Sequence, residues 1–157
     1  MPKGSAVRAW WDRLPLPAEP VVLMLVPLAF PGWRAGRRLP RAVGKVGWPL
    51  VAGGVILNVW AVVARGGEDL EHPERLTTVG PHEWTRNPMY VGWSLIHLGV
   101  GLSARSPGVV ATSPITFALV HRGVLREEDQ LAAWFGPEFT EYRERVPRYV
   151  GRPRRGT

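Results

Sequence analysis

No cysteine occurs in the 157 residues, and this one absence removes disulfides, thiolate metal sites and cysteine nucleophiles. Lysine is almost missing as well. Lys3 and Lys45 are the only ones, so the formal net charge of +7 rests almost wholly on arginine. His72, His82, His97 and His121 show no metal-ligand spacing, and no metal site is expected. There is no internal repeat or low-complexity tract, and the basic N-terminal stretch enters an apolar run without a small-residue cleavage pattern. The length suits a single domain over residues 1–157.

An arginine surplus permits a nucleic-acid surface or a membrane surface. The eight tryptophans decide between them. Trp10, Trp11, Trp33, Trp48 and Trp93 lie at or near the edges of apolar runs, where an amphipathic ring settles at the headgroup level of a bilayer. Membrane lipids are therefore the expected surroundings, and no nucleic-acid partner is expected.

Four apolar runs follow one another. Leu14 to Trp33 is about the 20 residues needed to span a bilayer, though it holds Glu19 and five prolines. Val46 to Ala64 is cleaner, and within it Gly47, Gly54, Asn58 and Ala61 recur at helical spacing, a small stripe on which another helix can pack. Tyr90 to Ala104 carries Gly92, Ile96, Gly99 and Ser103 on one face. Val109 to His121 returns across the bilayer, interrupted by Pro114, and its helical pattern continues to Phe135, where Gly136-Pro137 stops it. Pro137 to Val146 reads as a short amphipathic helix, and Arg148, Arg152, Arg154 and Arg155 form a basic end suited to an anionic membrane surface. The pattern predicts an all-α, multi-span transmembrane bundle of about four spans with a C-terminal cytoplasmic helical extension. The arginines of that end favour a cytoplasmic C-terminus, although the basic loop Arg34 to Lys45 then lies on the outer side.

The most informative stretch is Thr78 to Gly92, where a polar segment becomes an apolar helix. Gly80-Pro81 is a turn pair, and Asn87-Pro88 reads as a helix start, with the asparagine side chain free to accept first-turn amides and proline at the first helical position. Arg86 has no structural use there, because a helix N-terminus is already electropositive. Beside free amides it offers a seat for a carboxylate or phosphate, the alternative being a structural turn with a solvated or headgroup-facing arginine.

Glu127 and Glu128 lie beyond the fourth apolar run, and as helix neighbours they point about 100 degrees apart. Glu128 continues the stripe of His121, Leu125 and Phe135, whereas Glu127 continues Val120, Val124 and Trp134. An acid on an apolar stripe needs a cationic partner. Solvated acids beside Arg122 and Arg126 are the alternative. An antiparallel hairpin of the third and fourth runs brings Arg86 and both glutamates to one membrane face, a pair of opposite charges that suits an amino-acid-like zwitterion.

Gly80-Pro81, Arg86-Asn87-Pro88-Met89-Tyr90, Gly92, Glu127-Glu128, Leu131, Phe135-Gly136, Tyr142 and Val146-Pro147-Arg148 together resemble the isoprenylcysteine carboxyl methyltransferase and phospholipid methyltransferase superfamily. The resemblance covers residues 78–148, which it marks as the methyltransferase core. It implies an integral membrane enzyme using S-adenosylmethionine, with Arg86, Asn87, Pro88, Tyr90 and Gly92 at the cofactor. Glu127 and Glu128 then meet its ammonium or ribose hydroxyls, and Gly99-Val100-Gly101 looks like the glycine pair that phospholipid members place nearby. Arg86 and Glu128 are the residues on which activity is expected to depend. The sequence departs from the family at Asn87, where many members have histidine, and at His82 and Trp84, where tyrosines are common. It also lacks the long N-terminal spans of the carboxyl methyltransferases.

Methyl transfer from a sulfonium asks mainly for positioning and exclusion of water. The expected acceptor is a lipophilic small molecule or lipid bearing a carboxylate or a polar headgroup, and the site is expected to face the cytoplasm. For an amine acceptor, which must lose a proton, His82 or Glu83 is a candidate base, the alternative being that both are solvated loop residues. Two other readings use the same residues: an NADPH-dependent sterol-reductase-like enzyme with Arg86 on a phosphate, and a non-enzymatic membrane protein whose arginines hold lipid or a partner.

Overall fold

Long apolar helices with glycine-bearing faces organise the chain. The computed structural model describes residues 18–29, 38–66, 74–151 and 153. Expectations that fall on the two ends of the first apolar run, on Arg34 and Arg37, on the acids at 68, 69 and 71, and on Arg152, Arg154 and Arg155 lie outside them. Helix α1 spans Ala18–Ala29, α2 Arg41–Arg65, α3 Pro88–Ser103, α4 Pro107–Phe135 and α5 Pro137–Arg145, with one 3-10 turn over Gly80–Glu83. Among the described residues there is no strand.

Helices α2 and α4 are long and apolar enough to cross a membrane. Only 17% and 28% of their apolar windows are buried, so most of that apolar surface faces outward as a lipid-facing helix requires. Two described helices, rather than four, meet this test: α3 has 16 residues and the described part of α1 has 12, both short of the roughly 20 needed. The described residues thus hold two candidate membrane spans.

Local chemistry sets the boundaries. Gly66 ends α2 in the left-handed region at φ 67, its N–H donating to Val63, a conformation that favours glycine. Ser106 caps α4 by accepting from Val109 N, and Pro107 occupies the first turn, where its missing N–H costs nothing. Pro114 does not interrupt α4, which runs unbroken through it. Just before it the Thr112 and Ser113 hydroxyls donate back to the Val109 carbonyl. Arg105, at φ 53, links α3 to α4, and its guanidinium and carbonyl both bond Leu39, tying the start of α2 to this connection.

The glycine stripe of α2 packs on α3. A Cβ on Gly54 would stand 2.5 Å from the Gly92 carbonyl, and one on Gly47 would stand 2.5 Å from the Gly99 carbonyl. The two backbones are thus in contact, which only small residues permit. Asn58 lies against Gly92 in the same interface, yet its Oδ1 is buried without a hydrogen-bond partner. Buried His97 joins α3 to α4, its Nε2 lying 3.1 Å from Val109 O and 3.0 Å from Thr112 Oγ1.

The C-terminal part folds back under the Gly80–Glu83 turn. Phe139, Tyr142 and Val146 form a buried apolar cluster with Leu76, Leu131, Ala132 and Phe135, and Tyr142 donates its hydroxyl to His82 O at 2.7 Å. This docking places α5 and residues 146–149 beside Arg86.

Candidate active site

The loop ahead of α3 delivers Arg86, and α4 delivers Glu127 and Glu128 one residue apart. Their environments are opposite. Glu128 is 7% exposed and shared by two arginines: Arg86 Nη2 and Nε lie 3.0 and 3.1 Å from its Oε1, and Arg148 Nη2 lies 2.8 Å from its Oε2. Asn87 Nδ2 adds a donor at 3.3 Å. Burial of this carboxylate is possible because two cations and an amide satisfy both oxygens. Its partners are Arg86 and Arg148; neither Arg122 nor Arg126 takes part.

Arg86 is therefore committed within the protein. Beyond Glu128 it donates to Val146 O at 2.6 Å and Arg143 O at 2.9 Å, while its backbone N–H donates to Pro147 O at 2.9 Å. The cationic and anionic seats expected to flank a ligand instead bind one another and hold down the end of α5. Asn87 also differs from its expected role. It precedes α3 but makes no side-chain cap; its amide nitrogen donates to Glu128 and to Arg148 O, which turns the side chain toward the buried carboxylate instead of the first-turn amides.

Glu127 faces a different space. A cavity of about 540 Å³ is lined by Asn87, Pro88, Met89, Tyr90 and Trp93 from the loop and α3, by Arg65 from α2, and by Leu119, Val120, Arg122, Gly123, Arg126, Glu127 and Gln130 from α4. Glu127 Oε2 accepts the Tyr90 hydroxyl at 2.9 Å, and its Oε1 lies 3.7 Å from Arg65 Nη2. Of the residues expected at the site, Asn87, Pro88, Tyr90 and Glu127 line this cavity, whereas Arg86, Glu128, Gly92, Gly99 and Gly101 do not. Gly92 and Gly99 face α2, and a Cβ on Gly101 would meet Val109 and Val110 of α4.

Sequence reasoning missed Arg65, Met89, Trp93 and the α4 residues other than Glu127 that line the cavity. Arg65 is the last residue of α2, directly after an apolar run that ends on the same side as Arg86, which was the available signal. Its distance from the motif hid it.

His82 does not line the cavity. It is 3% exposed, with both ring nitrogens unpartnered, and burial first, then the Arg65 charge, push its pKa down to about 4. It is neutral at neutral pH and poorly placed to take a proton from a ligand. Because its folded pKa lies below its unfolded value of 6.5, the unfolded chain binds more protons between those values and stability falls as pH drops through that window. Full protonation costs roughly 3 kcal/mol. Thermal unfolding in detergent should show wild type losing more stability than His82→Leu between pH 7 and pH 4; parallel losses would show that His82 does not contribute.

With this geometry in place, residues 43–138 match the model of the family described as phospholipid methyltransferase. The chain belongs to the phospholipid methyltransferase family. It is 40% identical over 77 residues to the cobalt-zinc-cadmium resistance protein CzcN of Cupriavidus metallidurans, covering 49% of this chain and 36% of that protein. It is 34% identical over 73 residues to the human protein-S-isoprenylcysteine O-methyltransferase, covering 46% of this chain and 26% of the enzyme. A longer match, 26% identical over 168 residues, covers 91% of this chain and 65% of the methanethiol S-methyltransferase of Crocosphaera subtropica. The chain thus spans about a third of the length of the first of these relatives. The fold is similar to that of the eukaryotic intramembrane Ras methyltransferase, isoprenylcysteine carboxyl methyltransferase, with a TM-score of 0.64 at 20% identity, covering 93% of this chain and 53% of that one. The residues expected at the site divide into a cavity group around Tyr90 and Glu127 and a buried ion-pair group around Arg86 and Glu128.

Proposed function

We propose that this member of the phospholipid methyltransferase family transfers a methyl group from S-adenosylmethionine to a lipophilic acceptor at the cytoplasmic face of the membrane. The observation that carries the reading is the half-buried Glu127 carboxylate, set opposite Arg65 in a cavity whose other walls are Pro88, Met89, Tyr90 and Trp93. A cavity of about 540 Å³ suits one nucleoside-sized ligand. The aromatic and apolar side chains fit an adenosyl group. The Arg65 and Glu127 side chains, 3.7 Å apart, fit the carboxylate and ammonium of an amino-acid group.

Bound there, S-adenosylmethionine supplies a methyl group on a positively charged sulfur. The protein's own part is positional. Glu127 holds the ammonium, and Tyr90, hydrogen-bonded to Glu127 at 2.9 Å, fixes that carboxylate's orientation. Arg86 and Glu128 act one step back, holding α5 and residues 146–148 against the site. A displacement in line with the carbon–sulfur bond then needs an acceptor held close and water kept away. A carboxylate acceptor requires no base.

Arg122 and Arg126 also line the cavity and would suit the phosphates of a dinucleotide, which is the observation favouring an NADPH-dependent reductase as a second reading. Titration calorimetry of the detergent-purified protein with S-adenosylhomocysteine and with NADPH separates the two. Saturable binding of S-adenosylhomocysteine is expected, weakened at least tenfold by Glu127→Gln. Binding of NADPH alone would move the protein to the reductase reading, and binding of neither would overturn both.

A further inference from the structure

We propose that Arg122 and Arg126 anchor the acceptor, and that the acceptor is an anionic amphiphile carrying a carboxylate or phosphate on an apolar tail. The inference rests on the methyl-transfer reading of the cavity and adds the acceptor's charge and its anchor.

The two arginines stand one helical turn apart on α4, both exposed and both lining the cavity. Among the described residues the ion pairs of this end of the molecule join Arg65 to Glu127 and Arg86 and Arg148 to Glu128. Among the described residues no carboxylate lies within ion-pair distance of Arg122 or Arg126. Like charges four residues apart weaken a helix, and both positions lie too far from the end of α4 for its dipole to favour them. The fold gains nothing from the pair. A bound anion would.

The space beside them is open, since a Cβ on Gly123 would meet nothing within 4 Å. The charge balance also selects for an anion. Arg65 and Glu127 offset each other, so two guanidinium charges remain in the cavity's lining. A cofactor carrying a sulfonium charge adds to that excess, which disfavours a cationic acceptor and gives a neutral thiol no hold. Guanidinium groups match carboxylate and phosphate oxygens. From this level α4 continues as an apolar surface, with Leu119, Phe117 and Ile115 being 38%, 47% and 54% exposed. A headgroup at the arginines therefore sends its tail along apolar surface into the bilayer.

Four probes with one common tail test this: decyl phosphate, decanoate, decanethiol and decylamine, titrated into detergent-solubilised protein with and without saturating S-adenosylhomocysteine. The two anions are expected to bind at least tenfold more tightly than the thiol and the amine, with and without the nucleoside. The double variant Arg122→Gln, Arg126→Gln should cut that preference to less than threefold. Lysine at both positions should keep most of it, showing that charge and not folding is what was lost. Arg145→Gln, which removes an exposed cation of α5 outside the cavity, should leave the preference intact. The proposal is overturned if the four probes bind alike, if the preference survives the double glutamine variant, or if Arg145→Gln erases it equally, which would mean bulk attraction to a basic surface. Loss of the anion preference on adding S-adenosylhomocysteine would also overturn it, by assigning the arginines to the nucleoside's carboxylate. Because S-adenosylhomocysteine binding is measured separately, failure of the anchor and failure of the methyltransferase reading give different results.

Discussion

Glu128→Ala should destabilise the protein by about 3–5 kcal/mol, the cost of removing one partner from a buried ion pair. The substitution strands two guanidinium groups at once, Arg86 with a side chain only 8% exposed and Arg148 at 36%. Asn87 Nδ2 loses an acceptor as well. Arg86 keeps its bonds to Val146 O and Arg143 O, but among the described residues no other carboxylate pairs with its charge. The end of α5 should therefore loosen first. Thermal unfolding in detergent should show a large drop in the midpoint, and limited trypsin digestion should cut after Arg145 or Arg148 in the variant well before it does so in wild type. Glu127→Gln is the contrast: it should weaken nucleoside binding while shifting the unfolding midpoint little, because Glu127 is 32% exposed and its contact with Arg65 is long at 3.7 Å. Equal stability losses in the two variants would remove the distinction between a framing glutamate and a cavity glutamate.

Two adjacent glycines of α2 should respond in opposite ways to the same added methyl group. At Gly54 the new Cβ would stand 2.5 Å from Gly92 O and 2.7 Å from Ile96 Cγ1. A backbone carbonyl cannot turn aside, so Gly54→Ala should separate α2 from α3 at a cost of about 1–3 kcal/mol. At Gly53 the same atom meets nothing within 4 Å, and Gly53→Ala should stabilise the helix by up to about 1 kcal/mol through its higher helical propensity. The consequence reaches the cavity, because α2 carries Arg65 in its last turn. Moving α2 off α3 draws that guanidinium away from Glu127. Gly54→Ala should therefore weaken S-adenosylhomocysteine binding several-fold and Gly53→Ala should not, as read by calorimetry and unfolding midpoints on the same preparations. If both alanines are tolerated equally, close contact of the two backbones is not what positions Arg65.

Helices, their ends and their packing faces were legible in the sequence because each depends on residues close along the chain. Of the stripe Gly47, Gly54, Asn58 and Ala61, the first three lie on the face of α2 that meets α3 and Ala61 is buried, since a helix presents one face every 3.6 residues whatever surrounds it. Ser106-Pro107 and Gly136-Pro137 bound α4 for equally local reasons of capping and missing donors. The Arg86 to Tyr90 motif and the paired glutamates led to the family, and cysteine's absence excluded its chemistry outright. Pro114 misled, because one missing backbone donor leaves the other hydrogen bonds of a 29-residue helix in place.

The pairing of charges was decided only in three dimensions. Sequence placed Arg86, Glu127 and Glu128 at one membrane face and left open which would meet a ligand. In the folded chain Arg148, 20 residues beyond Glu128, closes on it at 2.8 Å and Arg86, 42 residues before it, at 3.0 Å. That leaves Glu127 to face the cavity with Arg65 from a helix outside the motif. Such partners are selected by separations of about 3 Å between groups distant in sequence. Interaction energy at that range depends on the final position and burial of each atom, and no local pattern encodes either.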